Sequence, residues 1–382
     1  MKAVLFGAGS IGRGFIAELL TEAGIDVVFV DVNKNLVEAI NRQGSYRQVI
    51  VGDEVKEKTI KNVRAVDGSD TVRVSEEVCD CGLLSTSVGA GVLSIIAPVI
   101  ASGLTKRWER GNENPLNILI CENLNRADYY LKKEIKSHLS EIDHKKLDML
   151  VGFLETSIGR MIPVIPEDIA KKDPTTVYVE PYRFLPYDIA AVKGVMPDIP
   201  AMVPFSPFEF YMERKLFVHN MGHFLSALLG RLKGQTYVWE AMGEPAIAYF
   251  VRSAMGHTAL ALSKKHGVEY AELSEHVDDL LYRFQNKALG DTIERVSRDI
   301  PRKLAPDDRL LGALDLCREQ NVPTEYVQLG LAAAYHLTGD MDTPEHSELV
   351  STLQSAMKTG FDFNVIQEII QYHQFAGGKM VV

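Results

Sequence analysis

Lys215, Asn220 and His223 stand close together in the stretch Lys215-Leu-Phe-Val-His-Asn-Met-Gly-His223. Helix-forming residues flank it, from Tyr211 to Gly230. At about 100° per residue, Asn220 falls roughly 140° round from Lys215, and His223 roughly 80°. All three therefore point to one side of the expected helix. An amine, an amide and an imidazole gathered there are equipment for moving a proton on and off a hydroxyl. Alcohol oxidation also needs a hydride acceptor, so the rest of the chain has to supply a place for one.

The N-terminus does. Met1–Phe6 is a short apolar run, followed by Gly7-Ala8-Gly9-Ser10-Ile11-Gly12-Arg13-Gly14 and an apolar-periodic helix, Phe15 to Ala23. A second apolar run, Val27–Val30, ends at Asp31. Strand, Gly-x-Gly-x-x-Gly, helix, strand and acid in this order form a dinucleotide-binding fingerprint. Gly7 permits the tight turn, Gly9 lets the backbone approach a pyrophosphate, and Gly12 lets helix and strand pack closely. The helix N-terminus offers unpaired N–H groups to the phosphates. Asp31 can accept from the ribose hydroxyls and repels a 2′-phosphate, which favours NAD over NADP, with Lys34 as the residue that argues the other way. FAD fits the same fingerprint but would be expected to bring a second flavin-type motif.

The 382 residues suggest two domains. A composition of 46% hydrophobic and 24% charged is that of a globular protein, and the net charge of −10 argues against a nucleic-acid partner. Cys79, Cys81, Cys121 and Cys317 form no Cys-x-x-Cys pair and read as reduced thiols of a cytoplasmic protein. Cys81 to Thr105 is uncharged and long enough to span a bilayer. Its Ser, Thr, Gly and Pro98 make it a better buried strand (Gly82–Thr86), glycine turn (Val88–Gly91) and helix (Val92–Ser102), so no membrane association is expected. His219 and His223 have the i, i+4 spacing of two metal ligands, but no Glu follows His219 and no third ligand is evident, so no metal is expected.

Met1–Phe6, Val27–Val30, Gly82–Thr86 and Asn117–Cys121 are the clearest strands, alternating with helices as in right-handed βαβ units. Tyr46 to Val74 alternates in polarity, as a small antiparallel excursion would, and Thr175–Glu180 reads as a further strand. After Pro197, Pro200, Pro204 and Pro207 the pattern is helical to the end, with junctions at Gly243-Glu-Pro245, Pro301–Asp308 and Val322-Pro-Thr324. The expected architecture is α/β: a doubly wound, Rossmann-type sheet over residues 1–200, then a mostly α-helical domain over 201–382.

The loop Phe6–Gly14 together with Lys-x-x-x-x-Asn-x-x-His resembles the polyol-specific long-chain dehydrogenases, the mannitol dehydrogenase family. The likeness extends to Ser87-Val-Gly89 with Ile96-Ala-Pro98, Asn117-Ile-Leu-Ile-Cys-Glu-Asn123, Glu213-Arg-Lys-Leu-Phe217, and Arg302-Lys-Leu304 with Asp308-Arg-Leu310. It implies a metal-independent enzyme with NAD held by Gly7, Ala8, Gly9, Ser10, Ile11, Gly12, Asp31, Val88 and Gly89. It implies Lys215 as general base, Asn220 and Asn123 as donors to the substrate oxygen, and His223 as the group that orients the sugar or Lys215. A lysine base has to be desolvated or placed beside positive charge, since an unperturbed lysine stays protonated at neutrality. The opening loop lacks the Phe-His-Arg-type sequence of free-mannitol enzymes, which points to a sugar-phosphate substrate and to interconversion of D-mannitol 1-phosphate and D-fructose 6-phosphate. Arg295, Arg298, Arg302, Lys303 and Arg309 form the densest cationic cluster and are the candidates for the phosphate; arginine meets phosphate with a bidentate fork. Such an enzyme would be a monomer or small homo-oligomer.

Three rival readings use the same chain. Tyr129-Tyr-Leu-Lys-Lys133 contains the Tyr-x-x-x-Lys of short-chain dehydrogenases, but the glycine spacing is wrong for them. A hexuronate reductase of the polyol family is the nearer alternative. A non-catalytic NAD-binding sensor is the non-enzymatic one.

Overall fold

The computed structural model describes residues 1–163, 165 and 167–338, so the expectation of helix to the end of the chain lies in part outside the described residues. The chain divides into two units, one of Met1–Glu209 and one beginning at Phe210.

The first unit contains strands β1 (Lys2–Phe6), β2 (Asp26–Asp31), β3 (Ser45–Val51), β4 (Val55–Lys61), β5 (Val63–Asp67), β6 (Leu83–Thr86), β7 (Leu116–Ile120), β8 (Val151–Glu155), β9 (Val177–Val179), β10 (Leu185–Asp188) and β11 (Met202–Phe205). Six of them make one parallel sheet in the order β5-β2-β1-β6-β7-β8. Numbered within the sheet that order is 3-2-1-4-5-6, the doubly wound dinucleotide-binding arrangement expected from the sequence. Its strands are mostly apolar, because both faces are covered. Alternate residues go to opposite faces: Ala3 and Leu5 join one core with Phe15, Leu19 and Phe29, while Val4 and Phe6 join the other with Val30, Leu84 and Ile118.

The uncharged stretch after Cys81 becomes β6, a short 3₁₀ turn and the helix Leu93–Glu109. Ala90–Glu109 is long and apolar enough to cross a membrane by composition. Here Leu93, Ile96, Ala97, Ile100, Ala101 and Leu104 are buried in the second core.

The antiparallel excursion is shorter than expected. β3 and β4 pair in register from Ser45↔Lys61 to Val51↔Val55. β5 then leaves them for the parallel sheet beside β2, because Val63, Ala65 and Val66 have an apolar edge to bury against. A helix already begins at Thr71, capped by the Asp70 side chain on Arg73 N. The strand expected at Thr175–Glu180 is the three-residue β9, parallel to β3.

The described part of the second unit is helical. The expected helix Tyr211–Gly230 is present as three consecutive pieces: an α-turn Glu209–Glu213, a π-helical segment Arg214–Asn220 and the α-helix Met221–Leu232. Val238–Gly243, Pro245–His266, Tyr270–Phe284, Ile293–Ser297, Ile300–Lys303, Leu311–Glu319 and Glu325–Thr338 follow. Pro245 sits in the first turn of its helix, where its missing N–H costs nothing.

Candidate active site

The predicted site residues fall on both units, and each unit is taken by itself. In the first, β1 runs into Gly7 at φ +98, a conformation that glycine alone adopts without strain. A Cβ on Gly7 would collide with Ser87 O, and one on Gly12 with Gly7 O. These two glycines are required by the protein's own packing. Gly9 differs: it is exposed, and a Cβ there would meet nothing within 4 Å. Gly9, exposed Ser10 and half-buried Ile11 thus face open space just ahead of a π-turn, Gly12–Ile16, and the helix Ala17–Glu22. The first N–H groups of that helical run have no intrahelical acceptor. This is a cradle suited to a pyrophosphate.

Asp31 ends β2, half-buried, and already carries bonds of its own. Its Oδ2 accepts from Ala8 N at 2.8 Å and its Oδ1 from Asn33 N at 2.9 Å. It therefore fixes the glycine turn, a task not read from the sequence, and each oxygen keeps a lone pair for a ribose hydroxyl. Lys34, the residue that argued for NADP, lies 3.6 Å from Asp67. Arg13 supplies the other half of the clamp. Buried, it donates from Nε to Ala8 O at 2.6 Å and from Nη1 to the carbonyls of Pro174, Thr175 and Thr176.

Val88 and Gly89 follow β6. Both of their N–H groups are taken by the Glu122 carboxylate, at 2.9 and 2.8 Å. Any contact they make with a cofactor uses other atoms. Asn123, next in the chain after Glu122, is exposed beyond the end of β7.

In the second unit the π-segment changes the geometry expected for Lys215 and Asn220. A turn closing on i→i+5 holds more residues than an α-turn. Residues five apart therefore come nearer to one face than the roughly 140° of a regular α-helix. Lys215, Asn220 and His223 are all half-buried, while His219 is buried.

His223 is held on two sides. Its Nε2 lies 2.6 Å from Asp291 Oδ2, as a close polar contact rather than an in-line hydrogen bond. Its ring stacks on Phe284 at 5.0 Å and 17°. Burial alone would push the Asp291 carboxyl up, but His223 and Arg295 more than offset this and hold it below the usual range. His219 is pushed well below the ordinary histidine range, first by burial and then by Arg283, His223, His276 and Lys215. The same surroundings favour its neutral form. Among the described residues no group of three or more His, Cys, Asp and Glu is arranged to hold a metal.

The cationic cluster is divided. Arg295 pairs with Asp291 and Arg298 is exposed. Arg302 pairs with Asp299 at 2.6 Å, and Arg309 with Asp308 at 2.8 Å. Lys303 is buried and donates to Val296 O at 2.7 Å. Lys303 and Arg309 share the ring of Phe224, at 5.1 and 5.8 Å. The cluster reaches the Lys215 segment by two routes: Arg295 through Asp291 and His223, and Lys303 with Arg309 through Phe224, the residue next to His223. Burial, with Arg309 and Arg302 nearby, brings the Lys303 ammonium down to about 8. Arg13, Glu122, Phe284 and Asp291 had no assigned role in the sequence. Arg13 and Glu122 stood inside quoted motifs; Phe284 and Asp291 reach His223 only through tertiary folding.

A doubly wound sheet with a glycine-lined phosphate cradle, followed by a helical unit bearing lysine, asparagine and histidine, defines a nucleotide-dependent dehydrogenase. Residues 1–200 match the mannitol dehydrogenase Rossmann domain and residues 208–368 the mannitol dehydrogenase C-terminal domain. The chain belongs to the mannitol dehydrogenase family, whose class of reaction is NAD-dependent polyol oxidation. Two solved structures have the same fold. Pseudomonas fluorescens mannitol 2-dehydrogenase, a ternary complex with NAD and D-mannitol, matches at TM-score 0.73 and 16% identity over 99% of this chain and 92% of that one. A D-sorbitol dehydrogenase in substrate-free form matches at TM-score 0.79 and 14% identity, over 98% and 93%.

Proposed function

We propose that this chain is a mannitol-1-phosphate 5-dehydrogenase, interconverting D-mannitol 1-phosphate and D-fructose 6-phosphate. Gly7, Gly9, Gly12 and Asp31 would hold NAD, which would supply the hydride acceptor; the lone pairs left on Asp31 would serve its ribose hydroxyls. Lys215 takes the proton from the substrate hydroxyl as that hydroxyl becomes a carbonyl. Asn220 and Asn123 donate amide hydrogen bonds to the same oxygen, stabilising the charge that develops on it. His223, braced by Asp291 and Phe284, orients the sugar.

The observation that carries the choice of a phosphorylated substrate is the Lys303–Arg309 pair on Phe224, beside His223. Two cations on the buried side of a helix that also carries the proton-transfer groups suit a dianion better than a neutral polyol. Arg302 stands beside them, sharing Asp308 with Arg309.

The test is a substrate panel with NADH: fructose 6-phosphate, fructose and fructuronate. Fructose 6-phosphate should give the highest kcat/KM, by at least about 10²-fold, the scale of two charge-assisted contacts. Preference for fructose would overturn the phosphate assignment, preference for fructuronate would make the chain a hexuronate reductase, and no turnover on any would favour a sensor.

A further inference from the structure

Glu122 lies two residues past β7 and immediately before Asn123. It is 5% exposed. Among the described residues no lysine or arginine pairs with it. Its two oxygens instead take one backbone N–H each, Oε1 from Val88 and Oε2 from Gly89. Burial raises its carboxyl above the usual range, and the two N–H donors offset part of this. A carboxylate buried without a counter-ion is a poor way to gain stability. What it does mechanically is join two turns at the same edge of the sheet, since β6 and β7 are neighbours there. One turn is Ser87-Val-Gly89, with Gly89 at φ +91 and room around its Cα. The other carries Asn123.

We propose that Glu122 is a positioning residue for hydride transfer: it fixes the Val88–Gly89 turn against the reactive end of the nucleotide and, through the adjoining peptide, sets where Asn123 presents its amide. This rests on the function proposed above. A glutamate chain has the length to reach both amides, taking one on each oxygen; a glutamine in its place has a single accepting oxygen and turns an NH2 donor toward the other N–H.

Glu122→Gln is the test, with Glu122→Asp as the variant that keeps the charge on a shorter arm. The NADH dissociation constant of Glu122→Gln should stay within about threefold of the parent, because the phosphate cradle is untouched. Its kcat should fall by about 10- to 100-fold, in line with a displaced oxyanion donor. The primary deuterium isotope effect on kcat from 4-deuterated NADH should rise as the chemical step becomes limiting. Glu122→Asp should fall between the two. The emission maximum of bound NADH should also shift in Glu122→Gln, a readout that needs no turnover. If every panel sugar fails in the parent, the proposed reaction is wrong, and the emission shift alone then decides the positioning role. Unchanged emission overturns the proposal, as does a parent-like isotope effect with parent-like kcat; so does a loss confined to melting temperature.

Discussion

At the scale of single residues, the chemistry turns on where protons sit. Replacing Lys215 by Ala removes the proposed base but no part of the glycine cradle. Turnover should fall by about 10²–10⁴, the usual contribution of a positioned acid or base, while NADH titrations give an unchanged affinity. Parent-like turnover would rule out Lys215 as the base. Lys303 gives a second, pH-dependent expectation. Its ammonium is brought to about 8 by burial and by Arg309 and Arg302. Below that pH the side chain is protonated and attracts a phosphate; above it the charge is lost. The KM for fructose 6-phosphate should therefore rise as pH passes through about 8, with kcat less affected. Lys303→Met should have a high KM throughout and no such step. A step that persists in Lys303→Met would assign it to another group.

At the scale of elements, two glycines that look equivalent in the sequence separate in the structure. Gly12 is needed for the turn itself, since a Cβ there meets the Gly7 carbonyl oxygen, whereas a Cβ on Gly9 meets no protein atom within 4 Å. Gly9→Ala should melt like the parent yet bind NADH at least about tenfold more weakly, a loss of about 1.4 kcal/mol. Gly12→Ala should lose both stability and NADH affinity. Equal melting temperatures for the two variants would refute this separation. The loop, β1, β2 and Asp31 were legible in the sequence because their signals are local: an apolar run, a glycine spacing and an acid at the end of the next run. The Lys215 helix was legible too, but its π-segment was not. An extra residue in one turn leaves the apolar pattern of Leu216, Phe217 and Val218 almost unchanged, while it changes which polar residues share a face. The alternation of β5 continues that of β3 and β4, so its sequence alone places it in the excursion; only the vacancy beside β2 draws it into the main sheet. The brace on His223 was invisible for a related reason, since Asp291 and Phe284 sit on later segments and no periodicity links them to residue 223.

At the scale of the whole molecule, the first unit is held at one point by buried charge. Glu18, on the helix that follows the glycine loop, pairs with Arg160, and both side chains are essentially inaccessible, at 1% and 0% exposure. Gln48 of β3 donates to the same carboxylate at 3.1 Å, and Lys58 of β4 reaches it from the rim at 3.1 Å. Arg160 also donates to Gly14 O and Glu180 O, so one ion pair ties the nucleotide helix, the small sheet and the segment after β8 together. Burial works against the Glu18 charge, but Arg160 and Lys58 outweigh it and hold the carboxyl below its ordinary range. A carboxyl lowered on folding adds stability above its unfolded value, and that contribution disappears as pH falls through the folded one. Glu18→Gln takes from the buried Arg160 guanidinium its directly paired carboxylate, leaving only the Glu180 charge nearby, which should cost about 3–5 kcal/mol near neutral pH. For a unit of this size the loss corresponds to a melting temperature lower by roughly 6–20 °C. Glu22→Gln is the control: Glu22 meets Lys58 and Arg183 on the accessible rim, at 27% exposure, and its loss should cost no more than about 1 kcal/mol. The gap between Glu18→Gln and the parent should hold from pH 8 to about 6 and close only below the ordinary glutamate value of about 4.3. A gap that is the same for both variants, or that closes well above that value, would mean the buried pair does not hold the unit together in this way.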